Sequence, residues 1–229
     1  MTLNKRETLV FVPAFNEEQM IGEVLDSLKF ADADILIVDD GSSDSTAQIV
    51  ENKGVRMLTH SDNLGYESAL SSGYRLACEE NYKFAISYDA DGQMNPEDVN
   101  SFINIAKNQD LDLVLGVRNY RNRLSEYLLS FYGDLRFNIK DPLCGLKLYR
   151  IESCIGLGPF DSHNLVGMEM AFKMCDNGFK YKELPVTIEK RKDQSRYGSF
   201  IRGEFNIIIS LIRAIFIFGL YKKFKLPNT

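Results

Sequence analysis

Histidine is scarce in this chain of 229 residues: His60 and His163 are the only two. That gives little support to a zinc site or to a Ser-His-Asp triad. The cysteines Cys78, Cys144, Cys154 and Cys175 lack the paired spacing of a metal knot and read as reduced, mostly core thiols of a cytosolic protein. Met1–Glu7 holds no apolar stretch, so no secretory leader is expected. No apolar run reaches the roughly 20 residues that a membrane-spanning helix needs. Internal repeats, low-complexity segments and a clear linker are also missing.

Charge is present but unevenly placed. Residues 180–229 carry eleven Lys/Arg against four Asp/Glu, a net of +7, whereas residues 1–179 have a net of −12. An acidic body with a basic tail points the tail towards something anionic, a membrane surface rather than a nucleic acid. Phe205–Tyr221 is almost wholly apolar, interrupted by a stripe of Arg202, Asn206, Ser210 and Arg213 and followed by Lys222, Lys223 and Lys225. A wide apolar face with a basic stripe describes a helix lying in the membrane plane. The alternatives are docking on the body or burial in the interface of a homo-oligomer. The expected organisation is one domain over 1–200 and an amphipathic helical tail over 201–229.

Short apolar runs alternate with helical patterns through the first half. Strands are expected at Thr8–Pro13, Asp34–Asp39, Val55–His60, Lys83–Tyr88 and Leu111–Val117. Helices are expected at Glu17–Lys29, Ser45–Asn52, Tyr66–Glu79 and Pro96–Asn108. This rhythm predicts an α/β domain with a mostly parallel central sheet and helices on both faces. The second half reads as a helix or mobile segment at Leu124–Asn138, a strand at Cys144–Arg150, a helix at Val166–Asn177 and an edge strand at Tyr181–Ile188.

The polar clusters fall at the carboxyl ends of the expected strands, where such sheets bind ligands. Asp89-Ala90-Asp91-Gly92-Gln93 places two carboxylates and an amide oxygen at alternate residues after the fourth strand. On an extended backbone these share one face and suit Mg²⁺ or Mn²⁺ holding a diphosphate; the plainer reading is a turn followed by a helix cap. Val12–Glu18 follows the first strand, where Asn16 or Glu17 can cap a helix. Asp39 and Asp40 stand adjacent after the second strand, where a ribose hydroxyl, a base N–H or a cation is expected to offset their repulsion.

Val-Pro-Ala-Phe-Asn-Glu-Glu at 12–18, Val-Asp-Asp-Gly-Ser-Ser-Asp-Ser-Thr at 38–46, Asn63-Leu64-Gly65 and Asp89–Gln93, in that order, resemble family 2 glycosyltransferases of the GT-A fold, over roughly residues 8–150. Asp141–Lys147, Val166–Met170 with Glu183–Val186, and Arg191 with Gln194–Ser199 are similar to elements of the polyprenol- and dolichyl-phosphate mannose and glucose synthases.

The resemblance implies a Rossmann-like domain and a set of roles. Pro13, Phe15, Glu17 and Asp40 line the base and ribose of a nucleotide-sugar donor, with Asp89 and Ala90 beside them. Asp89, Asp91 and Gln93 hold Mg²⁺ or Mn²⁺. Arg118, Arg191, Ser195 and Arg196 meet phosphate. Asp91, Asp141 and Glu169 stand at the reaction centre, with Asp141 orienting the acceptor or acting as base. The sequence departs from the family in Tyr66-Glu67 after Gly65, where a basic residue is common, and in Asp193, where Gly is common. Arg118, Arg121 and Arg123 form a cluster that suits phosphate, or else a solvated face.

The expected activity is inverting transfer of a sugar from a nucleotide-diphosphate sugar to a polyprenyl phosphate on the cytoplasmic face of a membrane. The alternative acceptor is a glycan hydroxyl. A nucleotidyltransferase is disfavoured because Val12–Glu18 lacks a Gly-rich basic loop, and a non-catalytic binding module because the acidic motif is intact.

Overall fold

The computed structural model describes residues 7–189 and 200–220. The strands are β1 (Thr8–Ala14), β2 (Asp34–Asp39), β3 (Arg56–Thr59), β4 (Phe84–Ser87), β5 (Leu113–Arg118), β6 (Lys147–Arg150) and β7 (Tyr181–Val186). They form one sheet in the order β3-β2-β1-β4-β6-β5-β7. Every pairing is parallel except those of β6, which runs antiparallel to both β4 and β5. The helices are α1 (Ile21–Leu28), α2 (Thr46–Asn52), α3 (Tyr66–Glu79), α4 (Glu97–Asn108), α5 (Leu124–Phe137), α6 (Ile151–Cys154), α7 (Glu169–Asp176) and α8 (Phe200–Phe218).

The strand period of two sorts side chains to opposite faces. In β1, Leu9 and Phe11 enter one core with α3, α5, α7 and α8, while Val10 and Val12 enter the other with α1, α2 and α4. All seven residues of β1 are buried, which accounts for its continuous apolar run. Burying each large apolar side chain contributes roughly 1.5–3 kcal/mol. Helix α3 lies so close to β1 that a Cβ on Gly73 would stand 2.6 Å from the Phe11 ring.

Several boundaries differ from expectation, and the cause is backbone conformation. Residues 18–20 form a turn in which the amides of Met20 and Ile21 both bond the Glu17 carbonyl, so the expected helix from Glu17 starts only at Ile21. Val166 at φ 51° and Gly167 at φ 69° cannot be helical, and α7 begins at Glu169. The expected strand from Cys144 shortens to Lys147–Arg150. The Leu124–Asn138 segment is a full helix, closed by Asn138 in the left-handed region.

The C-terminal helix is not a free tail. Ile207 and Ala214 of α8 are buried in the same core as Leu129, Tyr132 and Phe172. Glu204 accepts from the amides of Leu124 and Ser125, satisfying the start of α5. At the other end Tyr132 donates to the carbonyl of Ala214 at 3.0 Å and Arg136 to that of Phe218 at 3.0 Å. The two helices therefore run side by side in the same direction. Among the described residues, no helix is long and apolar enough to cross a membrane. The expectations for Lys222, Lys223 and Lys225 fall outside the described residues.

Candidate active site

A cleft of about 1340 Å³ opens at the carboxyl ends of the central strands. Pro13, Phe15, Glu17, Asp40, Asp89, Ala90, Asp91, Gln93 and Arg118, all expected from the sequence, line it together. The C-terminal helix forms another part of the lining, through Asn206, Ile207, Ile209, Ser210 and Arg213.

Hydrogen bonds stitch the first two motifs into one surface. Asn16 N–H donates to Ser42 Oγ, Ser43 N–H returns to Asn16 Oδ1, and Glu17 N–H donates to Thr46 Oγ1, each at 2.8 Å. Donors within the protein face both Asp39 and Asp40. Asp40 accepts from the amides of Leu64 at 3.0 Å and Gly65 at 2.8 Å, and is hydrogen-bonded to His60 Nδ1 at 2.7 Å. Asp39 Oδ1 accepts from the amide of Ser42. Asp40 thus shapes the Asn63-Leu64-Gly65 turn as well as lining the cleft.

The acidic motif is a turn and not an extended strand, which corrects the geometric premise of the alternating-residue argument. Strand β4 ends at Ser87, and Gly92 adopts φ 70°. Gln93 is partly committed: its Nε2 donates to the carbonyl of Glu189 at 2.6 Å. Asp89 accepts from the Tyr66 hydroxyl at 2.9 Å. It also packs over Gly145 so closely that a Cβ there would stand 1.9 Å from Asp89 Oδ2. The described residues contain no group of three His, Cys, Asp or Glu able to cage a metal. Asp89 and Asp91 do fit a Mg²⁺ or Mn²⁺ shared with a substrate diphosphate, since such ions are commonly held by one or two carboxylates plus phosphate oxygens.

Two expected reaction-centre residues do not line the cleft. Asp141 is wholly buried and engaged by Arg118 through Nε at 2.8 Å, Nη2 at 2.9 Å and the backbone amide at 3.0 Å. Its three hydrogen bonds all come from Arg118, which stands between it and the cleft lining. Burial opposes the Arg118 charge, yet the Asp141 hydrogen bond and the negative charges of Asp141 and Glu126 together outweigh it and hold the guanidinium pKa above its ordinary value. Glu169 is likewise wholly buried. It accepts from Lys173 Nζ at 2.6 Å, from the amides of Ser162 and His163, and from Ser162 Oγ. Burial alone would raise this carboxyl; the bonds from Lys173 and Ser162 overcome it and set it at about 2. Glu169 organises a loop and does not face the substrate space.

Of the arginine cluster, Arg118 and Arg123 line the cleft, whereas Arg121 donates to the carbonyl of Lys140. Arg191, Ser195 and Arg196 lie outside the described residues. Sequence reasoning missed the parts played by Tyr66, Glu67, Glu126 and Arg213, which all line the cleft. The departure from a basic residue at Tyr66-Glu67 was the available signal for the first two. For Arg213 it was the polar stripe on an otherwise apolar helix.

Residues 9–140 match the family model described as Glycosyl transferase family 2. An uncharacterised protein of Methanocaldococcus jannaschii is 34% identical over 92% of this chain and 93% of its own. A UDP-N-acetylglucosamine–dolichyl-phosphate N-acetylglucosaminyltransferase of Methanococcus voltae is 33% identical over 68% of this chain and 70% of its own. Among solved structures, glucosyl-3-phosphoglycerate synthase from Mycobacterium tuberculosis, in complex with Mn²⁺, UDP and glucosyl-3-phosphoglycerate, superposes with a TM-score of 0.72. It is 18% identical, and the match covers 95% of this chain and 82% of that one, a likeness of fold. The chain belongs to glycosyl transferase family 2 and resembles the polyprenyl- and dolichyl-phosphate sugar synthases within it.

Proposed function

We propose that the cleft moves a sugar from a nucleotide-diphosphate sugar to a polyprenyl phosphate, with inversion at the anomeric carbon. The observation that carries this reading is the division of one cleft between a carboxylate pair, Asp89 and Asp91, and the arginines Arg118, Arg123 and Arg213. The name of the Methanococcus voltae relative, with a UDP-sugar donor and a dolichyl-phosphate acceptor, supports the same substrate classes.

Pro13, Phe15 and Glu17 receive the nucleoside end of the donor, against the turn shaped by Asp40. Asp89 and Asp91 would hold Mg²⁺ or Mn²⁺ together with the donor diphosphate, and such a cation would supply charge neutralisation for the leaving nucleoside diphosphate. Tyr66 and Gly145 fix Asp89 in the required orientation. An acceptor phosphate oxygen attacks the anomeric carbon as the bond to the nucleoside diphosphate breaks, and one displacement inverts the centre. The attacking phosphate is already an anion near neutral pH, so a general base is not required. That agrees with a buried, saturated Asp141.

The outer surface suits a lipid acceptor. Leu124, Tyr127, Leu128, Phe131 and Leu135 of α5 and Phe205, Ile212 and Phe216 of α8 are exposed on two helices packed side by side. An apolar surface of this kind marks an interaction site. We assign it to peripheral contact with the cytoplasmic face of the membrane, where a polyprenyl phosphate resides.

The test is transfer by the purified full chain with Mg²⁺ or Mn²⁺, a panel of radiolabelled UDP- and GDP-sugars and a polyprenyl phosphate. Label should enter the organic phase as a mild-acid-labile lipid. Label found only in a water-soluble glycan would assign a hydroxyl acceptor and overturn this reading.

A further inference from the structure

Three arginines line the described part of the cleft, and their electrostatic states differ. Arg118 is engaged by Asp141 at 2.8 Å and lies 3.6 Å from Glu126. Arg123 pairs with Glu126 at 3.3 Å. Arg213, on α8, instead donates from Nη1 to the main-chain carbonyls of His163 and Asn164, each at 3.4 Å. Carbonyls orient a guanidinium without cancelling its charge. The charge of Arg213 also acts through space on Glu67 of the same cleft, but Arg118 and Arg123 are in direct ion pairs with carboxylates, so Arg213 keeps the greater capacity to attract an anion.

The support beneath Arg213 is built with care. Asp161 accepts from the amides of His163, Leu165 and Gly167, and Glu169 holds Ser162 and His163. Asn164 and Val166 are forced to φ 53° and φ 51°. A β-branched residue in the left-handed region is strained, and such strain persists only where surrounding contacts impose it, commonly at binding sites. The same loop anchors α8 a second time, where Ser210 Oγ donates to Asn164 O at 3.2 Å. The helix is therefore two-sided: Asn206, Ser210 and Arg213 face the cleft, while Ile212 and Phe216 face outwards.

We infer that Arg213, presented by α8 and the loop before α7, binds the phosphate of the acceptor, making the C-terminal helix part of the substrate site. The inference rests on the polyprenyl-phosphate reading above and adds a residue and an element to it. The outer face of α8 meets the lipid surface while its inner face receives the headgroup, so a phosphate leaving the bilayer reaches the cleft past this helix.

The experiment compares wild type with Arg213→Ala and Arg213→Lys, using farnesyl phosphate as acceptor and farnesol as the uncharged competitor. Arg213→Ala should raise the KM for farnesyl phosphate roughly 10- to 100-fold, the worth of one charge-assisted hydrogen bond. The donor KM and donor hydrolysis in the absence of acceptor should not change. Inhibition by farnesol should also be unchanged, and Arg213→Lys should recover part of the loss. An unaltered acceptor KM in Arg213→Ala, with wild type active, overturns this inference and leaves the proposed function standing. An equal loss for donor and acceptor assigns Arg213 to the donor side and also overturns it. A wild type that transfers to no prenyl phosphate overturns both. Thermal melts check folding, and if Arg213→Ala is unstable, Arg213→Gln provides the same comparison.

Discussion

Arg118 and Asp141 form a two-pronged pair, Nε to Oδ2 at 2.8 Å and Nη2 to Oδ1 at 2.9 Å, with the carboxylate wholly buried. The aspartate holds the arginine at the rim of the cleft. Removing one partner of a buried pair leaves the other uncompensated and costs roughly 3 kcal/mol. Asp141→Asn should therefore lower stability in urea denaturation by about that amount and reduce kcat/KM by weakening Arg118. The pH profile of the residual activity should keep its wild-type shape. Disappearance of an acid limb in the variant would make Asp141 the base instead.

Gly145 is the floor on which Asp89 rests. Because a Cβ there would stand 1.9 Å from Asp89 Oδ2, Gly145→Ala must displace the carboxylate or the backbone. The expected outcome is a loss of metal-dependent donor turnover of at least ~100-fold, with a stability cost of about 1–3 kcal/mol. Donor hydrolysis titrated with Mn²⁺ measures it, and wild-type turnover would mean that Asp89 is not needed where it stands.

Glu169 has a carboxyl held at about 2 against an ordinary 4.5. A depressed folded-state value contributes stability that is complete above pH 4.5 and disappears as pH falls towards 2. Glu169→Gln should thus cost roughly 3 kcal/mol at pH 7, and the gap to wild type should close across that acid range. Chemical denaturation at several pH values checks this. A gap independent of pH would assign the cost to packing rather than charge.

The outward apolar face can be tested without removing α8, whose buried Ile207 and Ala214 make truncation a folding defect. Phe131 and Phe216 are 69% and 91% exposed. Replacing both with Ser should leave the melting temperature almost unchanged, since such surface changes usually stay within about 0.5 kcal/mol. Flotation with anionic vesicles should fall several-fold. Unchanged flotation would direct this face to another partner.

Much of the site is legible along the chain. Pro13, Phe15, Glu17, Asp40, Asp89, Asp91 and Arg118 each lie in or beside a loop at the carboxyl end of a buried strand. Helical crossovers between successive strands make them parallel, so all of those loops reach one edge. That Asp141 and Glu169 are buried off the cleft lining is not legible in the sequence, for a different reason. A carboxylate in a motif looks the same whether it faces substrate or is consumed by Arg118 or Lys173, and those partners stand 23 and 4 residues away. The choice between docking on the body and a membrane-lying tail stays open in the sequence in part for the same reason. Periodicity reveals that α8 has a polar stripe, but not that the stripe faces a cleft rather than water.

By itself, the sequence determined the α/β alternation, the fully buried central strands and the family, because these depend on patterns within a few residues of each other. The tertiary structure alone decided which charged groups line the cleft, that β6 inserts antiparallel between β4 and β5, and that α8 forms part of the cleft wall. Those outcomes depend on pairings between groups far apart in the chain, where burial and hydrogen bonding settle the partners only once the sheet has formed.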